Sequence, residues 1–283
     1  MEYTTLNNGV KMPMEGFGVF RVRDLDQCEQ AVCDALEADY RLIDTAASYM
    51  NEEAVGRAIK KSGVAREEIF LTTKLWPQDY GYENAKKAID ARLEALDVEY
   101  LDLLLLHQAY GDYVGAYRAM EEAYKEGKLK AIGVSNFYPA RLVDLIYTVD
   151  VVPAVNQVEL NPLFQQPEAL KVMKEYGVQA EAWAPFAEGK ENIFTNPVLE
   201  EIASAHHKSV GQVMLRWNVQ RGVVVIPKSV HKNRIEENIN IWDFELSEEE
   251  MEKIATLDLG NSLIIDHDSL DLIRMVHERK IHD

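Results

Sequence analysis

Three neighbouring stretches decide the fold: Ile69-Phe-Leu-Thr-Thr-Lys74, Asn84-Ala-Lys-Lys-Ala-Ile-Asp-Ala-Arg-Leu-Glu-Ala-Leu96 and Leu101-Asp-Leu-Leu-Leu-Leu-His107. The outer two are short, mostly unbroken apolar runs, the pattern of parallel strands covered on both faces. The middle one repeats apolar residues three and four apart, as a helix with one buried stripe does. The same rhythm continues outward. Downstream come Leu129-Lys-Ala-Ile-Gly-Val134, Ala154-Val-Asn-Gln-Val158, Val178-Gln-Ala-Glu-Ala-Trp183 and Val223-Val-Val-Ile-Pro227. Upstream come Arg41-Leu-Ile-Asp44 and Glu15-Gly-Phe-Gly-Val19, which makes eight strands. Regular βα alternation over 283 residues, with no Pro/Gly/Ser-rich linker or composition shift, predicts an α/β fold: one (β/α)8 barrel in a single domain, 1–283.

Before the first strand, Tyr3-Thr-Thr-Leu-Asn-Asn-Gly-Val-Lys-Met12 reads as a hairpin, with Asn8-Gly9 tolerating positive φ at the turn. Such a hairpin is placed to plug the bottom of the barrel. Near the end, Ser247 and Glu250 have the spacing of a capping box, and the tail from Gly260 to Asp283 holds one more helix. Cys28 and Cys33 share one amphipathic helix without the spacing of a redox pair, and a secreted fold of this size carries more cysteine. The start, Met1-Glu-Tyr-Thr-Thr-Leu6, lacks the basic and apolar regions of a signal peptide. No apolar run approaches the roughly 20 residues of a membrane helix. A cytoplasmic, water-soluble chain is expected. The net charge of −18 speaks against nucleic acid as a partner. The same charge repels anionic ligands on average, so an anionic cofactor needs a local basic cluster. No metal is expected, since His206-His207 is an adjacent pair that cannot face one site from a helix.

Active residues of such barrels sit at the carboxyl ends of the strands. Here those ends carry Asp44, with Tyr49 five residues on, then Lys74, then His107. Singly, each has an ordinary explanation: a cap, a packed phenol, a strand-end lysine, a structural imidazole. Three successive strands delivering an ionisable group at the same end is a different matter. Burying Asp and Lys at a barrel rim is costly unless they pair, and a phenol, ammonium, carboxylate and imidazole at one mouth form a proton-transfer device. A lysine on a barrel strand is also compatible with Schiff-base chemistry. The Gly-x-Gly-x-x-Gly turn of a doubly wound nucleotide fold is missing, since Gly16-Phe-Gly-Val-Phe-Arg21 breaks at its last position. Phosphate is instead expected after the last strands, where Lys228, Lys232 and Arg234 form the basic cluster.

Five segments, in order, resemble the aldo-keto reductases. Leu42-Ile-Asp-Thr-Ala-Ala-Ser-Tyr-Met-Asn-Glu52 resembles the segment with the catalytic Asp and Tyr, Thr73-Lys-Leu-Trp76 the lysine segment, and Tyr100-Leu-Asp-Leu-Leu-Leu-Leu-His107 the histidine segment. Gly133-Val-Ser-Asn-Phe137 resembles the nicotinamide segment; Ile226-Pro-Lys-Ser-Val230 with Arg234-Ile-Glu-Glu-Asn-Ile239 resembles the cofactor-phosphate segment. The resemblance runs from about residue 4 to about residue 270. It implies NADPH-dependent reduction of small aldehydes and ketones (dicarbonyls, keto-sugars or aromatic aldehydes). Tyr49 would be the general acid, its pKa lowered by Lys74, which Asp44 orients; His107 would bond the carbonyl oxygen. Lys228, Ser229 and Arg234 would hold the 2′-phosphate, Glu237 and Asn238 the adenine, and Ser135, Asn136 and Gln157 the nicotinamide carboxamide. The ring would stack on Trp183, where the family usually has tyrosine. Ala184-Pro185-Phe186 lacks a hydroxyl that the family's Ser-Pro-Leu offers pyrophosphate. Phe20, Trp76, Gln108 and Tyr110 are the expected substrate-pocket residues, Gln108 making the wall more polar. The family is most often monomeric. Some relatives of this barrel bind the cofactor as sensors with little turnover, which the intact quartet disfavours.

Overall fold

In the computed structural model, which describes residues 1–283, the chain opens with β1 (Tyr3–Thr5) and β2 (Lys11–Pro13), an antiparallel hairpin. Its turn differs from the two-residue form that Asn8-Gly9 suggests. The amide of Leu6 donates to Val10 O at 2.9 Å and that of Gly9 to Leu6 O at 2.9 Å, so three residues form the loop, and only Gly9 takes positive φ (88°). A tight turn closed by a left-handed glycine is the common three-residue hairpin. The hairpin lies at the amino ends of the barrel strands. Asn7 Nδ2 donates to Pro153 O (3.0 Å), Asn8 Nδ2 to Lys130 O (2.9 Å) and Thr4 Oγ1 to Gln179 Oε1 (3.0 Å), with Leu6 and Met12 buried beneath.

All eight expected strands follow: β3 (Phe17–Gly18), β4 (Leu42–Asp44), β5 (Phe70–Leu75), β6 (Leu103–Leu106), β7 (Ile132–Ser135), β8 (Val155–Glu159), β9 (Gln179–Trp183) and β10 (Val224–Val225). Each pairs in parallel with the next. The sheet closes on itself where the amide of Gly16 donates to Val225 O (2.8 Å), that of Val225 to Met14 O (3.1 Å) and that of Gly18 to Pro227 O (3.0 Å). Unbroken apolar runs fit this burial: every residue of β4, β5 and β6 is buried.

Helices connect the strands: α1 (Leu25–Glu37), α2 (Glu52–Ser62), α3 (Tyr82–Leu96), α4 (Tyr113–Lys125), α5 (Pro139–Ile146) and α6 (Pro167–Glu175), each after one strand. Two helices, α7 (Pro197–His206) and α8 (Val210–Gln220), bridge β9 to β10; α9 (Lys232–Ile239), α10 (Glu248–Ala255) and α11 (Leu270–Glu278) complete the chain. Their starts follow capping chemistry. Asp24 and Asp112 accept from the amides three residues on, and both Ser247–Glu250 and Ser209–Gln212 form capping boxes. Packing sets where α2 and α3 meet: a Cβ on Gly56 would lie 2.3 Å from Leu96 O, so the backbones touch there. No helix is long and apolar enough to cross a membrane. Cys28 is buried on α1, and burial pushes its thiol up to about 11 against the pull of Arg57; neither cysteine is in a disulfide.

Candidate active site

At the carboxyl ends of the strands lies a cavity of about 610 Å³, within the usual range for small-ligand sites. Asp44 ends β4, Lys74 stands one residue before the end of β5, and His107 follows β6 directly. Tyr49 comes from a single 3₁₀ turn, Ala47–Tyr49. Asn51 anchors that turn: its side chain accepts from Thr45 Oγ1 (2.8 Å) and donates to Val19 O and Val22 O (3.1 Å each), tying the loop after β4 to the loop after β3.

Lys74 is fully buried, and its ammonium donates to Asp44 Oδ1 (2.6 Å), Asp44 Oδ2 (2.7 Å) and Thr45 O (2.8 Å). Burial alone would depress its pKa, but the Asp44 carboxylate wins, and the group sits above the ordinary lysine range. A charged nitrogen with its hydrogens committed is a poor nucleophile, which disfavours Schiff-base chemistry. Tyr49 Oη lies 3.5 Å from Lys74 Nζ. Contrary to the expected lowering, the phenol is pushed up to about 12: burial raises it more than the Lys74 charge lowers it. It is therefore a protonated donor at neutral pH.

His107 is held well below the ordinary histidine range, first by burial and then by the charges of Lys74 and Arg279, so the imidazole is neutral. Ser48 Oγ lies 3.3 Å from its Nδ1. With the hydroxyl donating there, Nε2 carries the ring proton and is a neutral donor. Edge contacts with Tyr49 (5.6 Å between centroids) and Trp76 (5.3 Å) fix the ring.

On the other side stand Ser135, Asn136, Gln157 and Trp183, joined in one network. Ser135 Oγ donates to Gln157 O (2.8 Å), Asn136 Nδ2 to His107 O (3.0 Å) and Ser135 Oγ (3.1 Å), and Trp183 Nε1 to Asn136 Oδ1 (2.8 Å). Asn136 takes positive φ (63°), which asparagine tolerates better than most residues. Gln157 Nε2 donates to both Asp44 Oδ2 and Glu181 Oε2, at 2.9 Å each. Both amide hydrogens are thus used, leaving Gln157 Oε1 as the acceptor.

Sequence reasoning missed Glu181. It is wholly buried on β9 with Oε1 unpartnered, and burial, reinforced by the Asp44 charge, raises its carboxyl to about 8. The available signal was a carboxylate in the middle of the expected strand Val178–Trp183.

Among the expected wall residues, Phe20, Trp76 and Gln108 line the cavity, Phe20 against Tyr49 at 5.0 Å. Tyr110 stands behind the wall instead, packed with Trp76 and Val276, its hydroxyl donating to His267 O. The C-terminal tail supplies that surface, contributing His267, Leu272, Met275, Val276 and Arg279 to the cavity. The basic cluster divides: Lys232 pairs with Glu37 (2.7 Å), while Lys228 lines the cavity and Arg234 is exposed on α9, neither in an ion pair. Ser229, Glu237 and Asn238 lie beyond the cavity, on or just before α9. Ala184, Pro185 and Phe186 line the wall after β9, Ala184 at positive φ (48°); Arg21 pairs with Glu188 (3.0 Å) across the cavity.

Comparison with known proteins identifies the family. The profile of the Aldo/keto reductase family matches residues 16–259. The glyoxal reductase of Bacillus subtilis (strain 168) is 49% identical over 253 residues, covering 89% of this chain and 91% of that one. A methylglyoxal reductase of Salmonella typhimurium (strain LT2) is 42% identical, covering 93% and 96%. The crystal structure of a Bombyx mori aldo-keto reductase in complex with NADP superposes with a TM-score of 0.89 at 32% identity, covering 96% of both chains. The chain belongs to the aldo/keto reductase family, and with it to the nicotinamide-dependent oxidoreductases that reduce carbonyl groups.

Proposed function

We propose that this protein uses NADPH to reduce small aldehydes and ketones, dicarbonyls of the glyoxal kind foremost, with Tyr49 as general acid. The observation that carries the reading is the buried Lys74–Asp44 pair beneath a protonated Tyr49, with a neutral His107 at the same cavity. The bound dinucleotide supplies the hydride. Around it, the chain's residues do the rest. The substrate's carbonyl oxygen sits between Tyr49 Oη and His107 Nε2. Tyr49 gives its proton to that oxygen as negative charge develops there, and the neighbouring ammonium of Lys74 stabilises the phenolate left behind. Asp44 keeps Lys74 charged and in place. His107 donates a hydrogen bond without taking a charge that burial would penalise.

Support for NADPH comes from the chain's own electrostatics. In a protein of net charge −18, Lys228 on the cavity wall and Arg234 on the helix that follows are exposed and in no ion pair, which suits the extra 2′-phosphate. Ser229 would share that phosphate, and Glu237 and Asn238 would meet the adenine. Trp183 offers a stacking face, and Gln157 Oε1, with Ser135 and Asn136 bracing it, an acceptor for the carboxamide amide. Phe20, Trp76 and Gln108 would contact the substrate. The chain as a whole, 1–283, would act as one barrel unit, working as a monomer. Oxidation of NADPH followed with methylglyoxal tests the reading: turnover with NADPH well above that with NADH supports it, and none with any carbonyl of a broad panel refutes it.

A further inference from the structure

Beneath the catalytic residues the barrel interior holds an uneven set of charges. Lys74 supplies one cation, while Asp44 and Glu181 supply two carboxyl groups, all three wholly or almost wholly buried. Every ammonium hydrogen of Lys74 is committed to Asp44 or Thr45 O, so none reaches Glu181. Glu181 Oε2 receives one hydrogen bond, from Gln157 Nε2 at 2.9 Å, and Oε1 receives none. Gln157 gives its other amide hydrogen to Asp44 Oδ2, also at 2.9 Å. Two carboxyl oxygens on one nitrogen stand within about 6 Å of each other, and buried like charges that close do not both ionise beside a single cation. The pair therefore carries one negative charge at neutral pH, and Asp44 keeps it because Lys74 is on it. Glu181 holds the proton. The titratable groups that face it are Asp44 from β4, Lys74 from β5 and Tyr49 from the catalytic turn; its strand neighbours, Gln157 on β8 and Val224 on β10, are uncharged.

We propose that Glu181 is a positioning residue for proton transfer: as a neutral carboxyl it holds Gln157 together with Asp44 and keeps the charge beneath Tyr49 balanced, and its ionisation slows carbonyl reduction. This rests on the carbonyl-reductase reading above and adds to it a residue that does not line the cavity. An ionised Glu181 puts a second negative charge into the enclosure, and that charge pushes the Tyr49 phenol up, making it a weaker acid. The order of titration fits. Burial, reinforced by Asp44, raises the Glu181 carboxyl to about 8, while Lys74 and Tyr49 both lie above their ordinary ranges, so Glu181 is the first of the three to lose its proton as pH rises.

The test is the pH profile of kcat with benzaldehyde, which does not titrate, and saturating NADPH, for wild type, Glu181→Gln and Glu181→Leu. Between about pH 7 and 9.5, wild-type kcat is expected to fall by about tenfold, the scale of one added like charge at this range. Glu181→Gln keeps an acceptor for Gln157 but cannot ionise; its kcat at pH 7 stays within about twofold of wild type, and the alkaline fall disappears. Glu181→Leu leaves Gln157 held by Asp44 alone, so kcat drops at pH 7 as well. Identical profiles for wild type and Glu181→Gln overturn the proposal, as does a Glu181→Gln no better than Glu181→Leu at pH 7; the first comparison decides even where the leucine variant does not fold. Infrared difference spectra between the same two pH values are independent of turnover. Wild type is expected to lose the C=O stretch of one protonated carboxyl that Glu181→Gln lacks. A protein that reduces nothing yet shows this band keeps Glu181 as the neutral partner of Asp44 and loses the reductase reading. An active protein without the band loses the proposal only.

Discussion

Replacing Lys74 by methionine leaves Asp44 buried with no cation. In the native protein that carboxylate receives two hydrogen bonds from the lysine, at 2.6 and 2.7 Å, and the lysine places its third on Thr45 O at 2.8 Å. Both side chains are almost completely shielded, at 0% and 2% exposure, so water compensates little. Removing one partner of such a buried pair costs about 3–5 kcal/mol. Replacing both by neutral groups of similar volume costs far less, because the desolvation of the ions disappears with their attraction. Urea denaturation followed by circular dichroism is therefore expected to give a loss of about 3–5 kcal/mol for Lys74→Met, with an unchanged m-value. The double variant Asp44→Asn/Lys74→Met should lose clearly less than the sum of the two single variants. A cost below about 1 kcal/mol for Lys74→Met, or strict additivity in the double variant, would refute the picture of a tightly coupled buried pair.

Other outcomes follow from the same structure. Glu181 has its carboxyl raised to about 8, against about 4.3 in an unfolded chain. The folded state thus holds a proton that the unfolded state releases; the stabilisation is complete below about pH 4.3 and lost as pH rises through about 8. Wild-type Tm should fall across this window, and Glu181→Gln, which cannot titrate, should remove that part of the slope; identical slopes would contradict the burial argument. Gly56→Ala sets helix propensity, worth about 1 kcal/mol in favour of alanine, against a Cβ 2.3 Å from a backbone oxygen. The clash wins, with a loss of about 1–3 kcal/mol in urea titration. Arg234→Ala should weaken NADPH binding by about tenfold to a hundredfold in fluorescence titration and leave NADH unchanged; an equal loss for both would remove the 2′-phosphate assignment.

The barrel was legible because parallel strands buried on both faces leave apolar runs: β6 is four leucines, and β5 is buried throughout, with only Thr72, Thr73 and Lys74 interrupting it. The strand-end groups Asp44, Lys74 and His107 were legible for the same reason, since an ionisable residue closing an apolar run stands out. Local turn chemistry was harder. The turn before β2 needs positive φ only at Gly9, and the Asn-Gly pair did not reveal its third residue. Glu181 lay in view yet carried no motif, because its significance is tertiary: Gln157, on the neighbouring strand, links it to Asp44. The tail was least readable. His267 and Arg279 reach the cavity only because α11 folds back against Trp76, and no periodicity within the segment specifies that destination. The sign of the Tyr49 shift was likewise beyond sequence, since it depends on how much burial opposes the Lys74 charge.

In the proposed reaction the Tyr49 phenol gives the proton that completes carbonyl reduction. The most direct test is NADPH oxidation with methylglyoxal by Tyr49→Phe beside wild type, with NADPH binding titrated separately. In the variant kcat is expected to fall by at least about a hundredfold while NADPH affinity stays within about twofold. Turnover near the wild-type rate in the variant would contradict it and return the search for the acid to His107.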